Sequence, residues 1–198
     1  MATSPDALTT LEDLKRYLQL SSDQHDQLLE SLIEAVSAQF NRYTGRKLAA
    51  RDYHWDPAQP AYAPDQAILD GTGHPELLLP QYPLLRLDEL RLDSRSLALE
   101  ELVLDRAAGV IALRQGVFPR GRANLALAYR AGFDPIPPDL AQAALEQTAV
   151  RFQESGAGLG RLGVSARTLA DGSVSYQEKP LLPQVREVLD RYRRRAPL

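Results

Sequence analysis

The 198-residue chain has no cysteine, three histidines and little net charge. Without cysteine it has no disulfide, no thiolate nucleophile and no cysteine-ligated zinc, which agrees with synthesis in a reducing cytoplasm. The formal net charge of −3 is too small for binding nucleic acid through bulk charge. No apolar run approaches the roughly 20 residues that span a bilayer. We therefore expect no membrane contact.

Targeting signals are also missing from the N-terminus. The first ten residues are polar and lack the basic start and apolar core of a signal peptide. The composition, 44% hydrophobic and 25% charged, is ordinary for a folded chain of this length, which suffices for one domain with a core. The expectation is a product made in the cytoplasm, which an exported assembly can still incorporate.

Residues that carry catalysis or bind cofactors do not form a recognisable set. The histidines, His25, His54 and His74, have no second histidine or carboxylate at metal-ligand spacing. The glycines of 70–74 lack phosphate-loop spacing, and those of 156–163 follow a helix instead of linking a strand to a helix. We predict no catalytic residue, no cofactor, no metal and no enzymatic activity.

Helical patterns occupy both ends of the chain. Thr10 with Asp13 resembles a capping box at the start of a short helix that ends near Leu20. Ser21 or Ser22 then caps a second helix, with Asp23 and Asp26 in its first turn and Gly45 after its end. Pro137 and Pro138 favour the start of a third helix, and Pro183 opens a fourth.

The middle of the chain reads as β-structure. Prolines and glycines between residues 57 and 83 exclude a long helix. Short apolar runs follow, several of them alternating, and the stretch 105–109 between two runs predicts a hairpin turn. The predicted strands are Leu77 to Leu79, Leu84 to Leu92, Leu102 to Leu104, Val110 to Leu113 and Leu125 to Tyr129, with a further extended segment at Val174 to Tyr176.

Together these patterns predict an α+β fold, mainly an α-helical bundle with an inserted small antiparallel β-sheet. The predicted organisation is a single domain over 1–198. Its helical part comprises 1–50 and 133–198, and its β-rich insertion comprises 51–132.

Two ordered motifs resemble a known family. The opening helix with Leu11-Glu12-Asp13-Leu14-Lys15-Arg16-Tyr17-Leu18, followed by a longer helix ending in Tyr43-Thr44-Gly45-Arg46, is similar to the start of phage head–tail connector proteins. The second motif is Tyr129-Arg130-Ala131-Gly132-Phe133 followed by Ile136-Pro137-Pro138-Asp139-Leu140, which resembles the junction between the last strand and the next helix of that family. With the closing helix, the resemblance covers nearly the whole chain.

The resemblance implies a structural head–tail connector, a head-completion adaptor of long-tailed phages. Such a subunit forms a homo-oligomeric ring, a dodecamer in the family, beneath the portal in the virion neck. The implied partners are the portal protein, the next neck or tail-completion protein, and passing DNA, which is contacted only non-specifically. The family's C-terminal segment generally faces the portal, so the predicted portal-binding residues are Arg191, Tyr192, Arg193, Arg194 and Arg195.

Two other functions stay open at this stage. One is a different neck or tail-completion role in a phage or a phage-derived particle. The other is a small ligand-binding module that uses the β-rich insertion. There Tyr53, Trp55 and Tyr62 form a candidate contact patch; the alternative interpretation is that they fill the core of the sheet. Oligomerisation or portal binding distinguishes the connector from a monomeric module.

Overall fold

The structure is a computed structural model that describes residues 4–55, 67–93, 95–155 and 180–194. The chain divides into two compact units, a helical unit of residues 1–45 and 136–193, and a sheet unit of residues 46–135 and 194–198. The α-helices of the described residues belong to the helical unit. They are α1 (Leu11–Leu18), α2 (Asp26–Thr44), α3 (Pro138–Glu154) and α4 (Pro183–Arg191).

The helix boundaries follow local sequence signals at most positions. The Thr10 side chain accepts a hydrogen bond from the backbone N–H of Asp13, which confirms the predicted start of α1. Gly45, at φ 70°, closes α2 in the left-handed conformation that favours glycine. Pro138 and Pro183 are the first residues of α3 and α4, as predicted.

The predicted start of α2 is wrong. The helix begins at Asp26 after His25, which makes no side-chain capping bond, so neither Ser21 nor Ser22 is its cap. The carboxylates of Asp23 and Asp26 lie 2.5 and 2.8 Å from the Lys15 ammonium at the end of α1. The ion pairs of Lys15 with Asp23 and Asp26 therefore stand at the start of α2 where a local cap was predicted. Capping preferences describe only local hydrogen bonds, so they do not predict a contact with another helix.

The core of the helical unit joins three helices. Leu14 of α1, Leu29 and Ile33 of α2, and Phe152 of α3 form one buried cluster. On α4, Val185 and Leu189 are fully buried, one helical turn apart. Packing of these apolar stripes, more than intrinsic helix propensity, holds the short helices α1 and α4 in place.

The sheet unit contains two antiparallel sheets. Strand β8 is the centre of a five-stranded sheet, with β4 on one side and both β1 and β2 on the other, and β5 pairs with the outer edge of β4. The second sheet has three strands in the order β3-β7-β6. The strands are β1 (Arg51–His54), β2 (Ile68–Gly71), β3 (Glu76–Leu78), β4 (Leu84–Leu92), β5 (Arg95–Ser96), β6 (Leu102–Asp105), β7 (Val110–Leu113) and β8 (Gly121–Ala131).

The predicted fold class is wrong. Of the described residues, 36% are helical and 28% lie in strands, and the strands build two sheets where the sequence predicted one small inserted sheet in a mainly helical bundle. The physical reason is long-range pairing. Strands β1 and β2 are short, lie among prolines and glycines, and gain their hydrogen bonds from β8, 50 or more residues away.

The other strand predictions have mixed outcomes. The five predicted apolar runs before residue 130 correspond to β3, β4, β6, β7 and β8, and the hairpin turn at 105–109 joins β6 to β7. Strands β1, β2 and β5 were not predicted. The extended segment at 174–176 and the glycines of 156–163 lie outside the described residues. The single-domain organisation with its stated boundaries stays a prediction.

The last residue of the first family motif contacts the second motif within the sheet unit. Arg46, only 4% exposed, places its guanidinium 3.9 Å from the centre of the Tyr82 ring and 5.2 Å from that of Phe133. At Gly132, φ is 114° and a Cβ atom would lie 2.7 Å from the Ala49 carbonyl oxygen, so a side chain does not fit. Arg46 and Phe133, one residue from each motif, are therefore joined by a buried cation–π contact.

Candidate partner-binding surface

The predicted portal-binding residues follow the last helix. Arg191 is the final residue of α4, and Tyr192 and Arg193 continue the chain in the helical unit. Arg194 is exposed and is grouped with the sheet unit. Arg195 lies outside the described residues. The structure thus describes four of the five predicted residues, and it ties three of them to acidic partners.

Asp139 binds two of these residues. The Tyr192 hydroxyl donates a hydrogen bond to Asp139 Oδ1 at 2.6 Å, and Arg191 Nη1 lies 3.6 Å from Asp139 Oδ2. Asp139 occupies the first turn of α3, where the positive end of the helix dipole favours a carboxylate. One carboxylate therefore holds the end of α4 on the start of α3.

A second contact joins α4 to the end of α2. The Tyr43 hydroxyl donates to Asp190 Oδ1 at 2.7 Å, and Arg193 Nη1 lies 3.9 Å from the same oxygen. The Arg193 guanidinium also lies 5.6 Å from the centre of the Tyr43 ring. The hydrogen bond to Asp190 raises the pKa of Tyr43, because ionising the phenol would remove the donated proton.

The resulting surface is rich in arginine but only partly neutralised. The side chains of Arg191 and Arg193 are 66% and 62% exposed, so solvent screens their ion pairs, and each pair contributes little to stability. Their outer donors stay accessible to a carboxylate or phosphate of a partner. The arrangement orients the arginines while leaving their charge available.

The sequence did not reveal three members of this cluster. Tyr43 and Asp139 entered the sequence analysis only as members of the family motifs, and Asp190 was not predicted to take part. Tyr43 and Asp190 are 147 positions apart, and Asp139 and Tyr192 are 53 apart. No local spacing pattern identifies pairs at such distances; only the acidic residue in the first turn of α3 was a visible signal.

The aromatic patch considered for a ligand-binding module is mostly core. Tyr53 is 6% exposed and stacks on Tyr129, with ring centres 5.1 Å apart. Trp55 packs partly buried against the same core, with the Arg91 guanidinium 5.8 Å from its ring centre. Tyr62 lies outside the described residues. The two described aromatic residues therefore pack in the core beside the five-stranded sheet, which agrees with the interpretation of this patch as core.

The histidines do not converge. His54 and His74 are exposed, and His25 precedes α2 with its ring 5.5 Å from that of Phe152. Among the residues that the structure describes, no group of three histidine, aspartate or glutamate side chains is placed to hold a metal ion. Within the same residues, no helix combines the length and the apolar character that crossing a membrane requires.

Two solved structures share this fold. The first is a chain of "Neck of empty GTA particle computed with C6 symmetry", with a TM-score of 0.59 and 20% identity over 100% of this chain and 95% of that chain. The second is a chain of "Neck of native GTA particle computed with C12 symmetry", with a TM-score of 0.54 and 19% identity over 100% and 94%. No curated protein matches the chain. The architecture is thus of a class found in particle necks.

The family follows from the sequence match. The head completion protein family matches residues 7–195, almost the entire length. The chain therefore belongs to the head completion protein family, and its role is that of a structural adaptor at the head–tail neck. The predicted resemblance to head-completion adaptors is confirmed.

Proposed function

We propose that this head completion protein closes into a ring of twelve copies in the virion neck, beneath the portal. The family match over residues 7–195 is the observation that carries the proposal. The two neck structures of similar fold were computed with C6 and C12 symmetry. A ring of twelve identical subunits obeys both symmetries, because two successive twelvefold rotations make one sixfold rotation.

The C-terminal arginines are the proposed contact with the portal. The tyrosine hydrogen bonds to Asp139 and Asp190 hold the end of α4, so the backbone that carries Arg191 and Arg193 loses little conformational entropy when a partner binds. Arg194 adds an exposed charge, and Arg195 extends the same basic run. The expected portal surface is acidic, since clustered guanidinium groups favour carboxylates that accept two hydrogen bonds.

The remaining parts of the role are structural. The ring extends the DNA channel, presents a surface to the next neck or tail-completion protein, and contacts passing DNA only weakly and without sequence preference. No catalytic step belongs to this role, which agrees with membership of a family of structural proteins. We place its synthesis in the host cytoplasm before incorporation into the particle.

The mass of the protein in solution, alone and mixed with its portal, tests the ring. Light scattering on a sizing column is expected to show a portal complex that carries twelve copies of this 21.9 kDa chain. Because a portal can template the ring, a monomer in the absence of portal agrees with the proposal. A protein that stays monomeric and ignores portal at every concentration and salt tested overturns it.

A charge reversal tests the portal contact. The double variant Arg194→Glu with Arg195→Glu leaves the contacts of Arg191, Tyr192 and Arg193 intact, so we expect normal folding and a loss of portal affinity of at least about tenfold. The matched control, Arg16→Glu with Arg95→Glu, makes the same change in net charge at exposed arginines elsewhere. Equal portal binding by the two double variants would contradict the assignment.

A further inference from the structure

The outward face of the three-stranded sheet is unusually apolar. Its inward positions, Leu77, Ile111 and Leu104, lie on one rung and pack on the core. The rungs on either side point outward, because side chains alternate along each strand. One outward rung is Glu76, Ala112 and Val103, and the other is Leu78, Val110 and Asp105.

Four of these six outward side chains are apolar, and two of them are strongly exposed. Leu78 is 42% exposed and Val103 is 47% exposed, while Val110 and Ala112 of the middle strand are half-buried. Neighbouring positions on adjacent strands lie about 5 Å apart, so the four form one continuous diagonal patch. Acidic Glu76 and Asp105 occupy the two opposite corners. We call this set of six residues the apolar face.

An antiparallel sheet that covers a core on one side normally turns polar residues to water on the other. Contiguous apolar surface that is rimmed by charge instead marks a contact with another macromolecule. The composition of the face indicates the kind of partner that binds it. The apolar diagonal favours an exposed apolar side chain, and the acidic corners favour positive charge beside it.

The sheet unit also carries a segment that combines positive charge with an exposed apolar side chain. Residues 114–122, which we call the arginine loop, comprise the connection from β7 to β8 and the first two residues of β8. They contain Arg114, Arg120 and Arg122, all exposed. Val117 at the tip of this loop is 49% exposed. From residue 106 to residue 133 the sequence has five arginines and no acidic residue, so the loop is not locally neutralised by its own segment.

The arginine loop is held in one conformation. Phe118 is fully buried beside Val117, and its backbone N–H donates to the His74 carbonyl at 2.9 Å. Arg114 Nε donates to the Glu100 carbonyl at 2.8 Å, and Arg120 Nε to the Thr72 carbonyl at 3.3 Å. The buried phenylalanine turns Val117 outward, so the loop presents its valine and arginines without a large ordering cost.

We propose that, in the ring, the apolar face of each subunit binds the arginine loop of the adjacent copy. The inference rests on the proposed ring, in which every copy uses two different surfaces that meet head to tail. The apolar diagonal of Leu78, Val110, Ala112 and Val103 covers Val117 of the neighbour, and Glu76 and Asp105 face its arginines. The loop follows β7 directly and shares no residue with the face, so one copy can offer its face to one neighbour and its loop to the other.

Engineered cysteines test the contact, because the natural chain has none. The double variant Val103→Cys with Val117→Cys, assembled on portal and then oxidised, is expected to give a ladder of disulfide-linked oligomers. Either single variant alone is expected to stay monomeric under the same oxidation, because a head-to-tail contact never brings two copies of one position together. Portal binding is measured separately on the same samples.

The outcomes separate the contact from the ring itself. A portal complex of twelve copies in which the double variant forms no cross-link between position 103 of one copy and position 117 of the next would overturn the proposed contact while keeping the ring. Dimers from Val103→Cys alone would also overturn it, since they require two apolar faces to meet. If a variant with Glu76→Arg in the apolar face forms the ring but no longer binds the next neck protein, that protein occupies the face and the proposed contact is wrong.

Charge reversal supplies an independent test that a misfolded variant cannot imitate. Glu76→Arg and Arg122→Glu each place like charges at the contact, and each alone is expected to lower ring formation on portal about tenfold. An equal mixture of the two variants can alternate around a ring of even number, which restores opposite charges at every contact, because each altered face meets an altered loop and each natural face meets a natural loop. Recovery in the mixture supports the proposal, and two defects that persist in the mixture contradict it.

Discussion

The two sheets of the sheet unit resemble each other on their inward faces and differ on their outward faces. The three-stranded sheet turns leucines and Ile111 into a shared core, and the five-stranded sheet turns leucines and two tyrosines into the same core. Outside, the three-stranded sheet carries four apolar residues, whereas the five-stranded sheet carries a lattice of ion pairs. In that lattice, Asp52 lies 2.9 Å from Arg130 and 3.5 Å from Arg86, and Arg86 also pairs with Asp88 at 2.6 Å.

By this difference one outward surface of the sheet unit is suited to water, and the other is suited to the partner contact that we propose. Exposed ion pairs keep a surface soluble and contribute little to stability. Exposed valine and leucine across neighbouring strands favour association, and an assembly gains by covering them. The comparison therefore predicts that inward substitutions damage folding, that outward ones on the three-stranded sheet damage assembly, and that outward ones on the five-stranded sheet do little.

The largest effect is expected at the inward faces, where the two sheets are equivalent. Ile111→Ala in β7 and Leu127→Ala in β8 each remove a side chain that is at most 1% exposed. Each is expected to lower the free energy of unfolding by about 3 kcal/mol, through lost burial and the cavity left behind. Urea unfolding measures this. A loss well below about 1 kcal/mol at Ile111 alone would show that the three-stranded sheet is loosely packed.

The next effect separates the outward faces. Val103→Lys is expected to lower ring formation on portal about tenfold while changing the unfolding free energy by less than about 0.5 kcal/mol, since the side chain is exposed in the single subunit. His54→Lys is the matched control on the exposed surface of the five-stranded sheet. Light scattering with portal measures assembly. Equal assembly by both variants would show that the outward faces of the two sheets do not differ in their role in assembly.

A smaller effect concerns the stacked tyrosines inside the five-stranded sheet. Burial, reinforced by the nearby Tyr53 hydroxyl, raises the pKa of Tyr129 far above its ordinary value of 10.0. The folded state therefore holds this proton more tightly than the unfolded state. The associated stability is present below about pH 10 and is lost as the pH rises above it.

Tyr129→Phe tests this pH dependence. The variant is expected to lose about 1 kcal/mol at neutral pH and to show a shallower fall in stability above about pH 10. Urea unfolding across this pH range measures both quantities. Identical slopes for the natural chain and the variant would show that Tyr129 does not titrate with unfolding.

The smallest effect is expected in the ion-pair lattice. Asp52→Asn removes the carboxylate that joins Arg130 to Arg86, yet its side chain is 55% exposed, so solvent weakens the interaction. We expect a loss of about 0.5 kcal/mol at low salt and almost none at about 1 M salt, where exposed charges are screened. Unfolding at the two salt concentrations tests it. A large loss independent of salt would indicate a buried structural role.

Local signals in the sequence determined most element boundaries. Thr10 with Asp13, Gly45, Pro138 and Pro183 each act on the backbone of their own turn, so their effect can be read without knowing the rest of the fold. The hairpin at 105–109 is equally local. The order of the family motifs led to the head completion family because each motif keeps its own spacing along the chain.

Only the tertiary structure decided the balance of helix and sheet and the residues around the C-terminal arginines. Strands β1 and β2 exist because β8 supplies their hydrogen bonds, and Tyr43 and Asp139 join the basic segment because helices distant in sequence bring them together. The apolar face likewise needs three strands in register. Such arrangements depend on contacts between segments far apart, whose energies no short stretch of sequence contains.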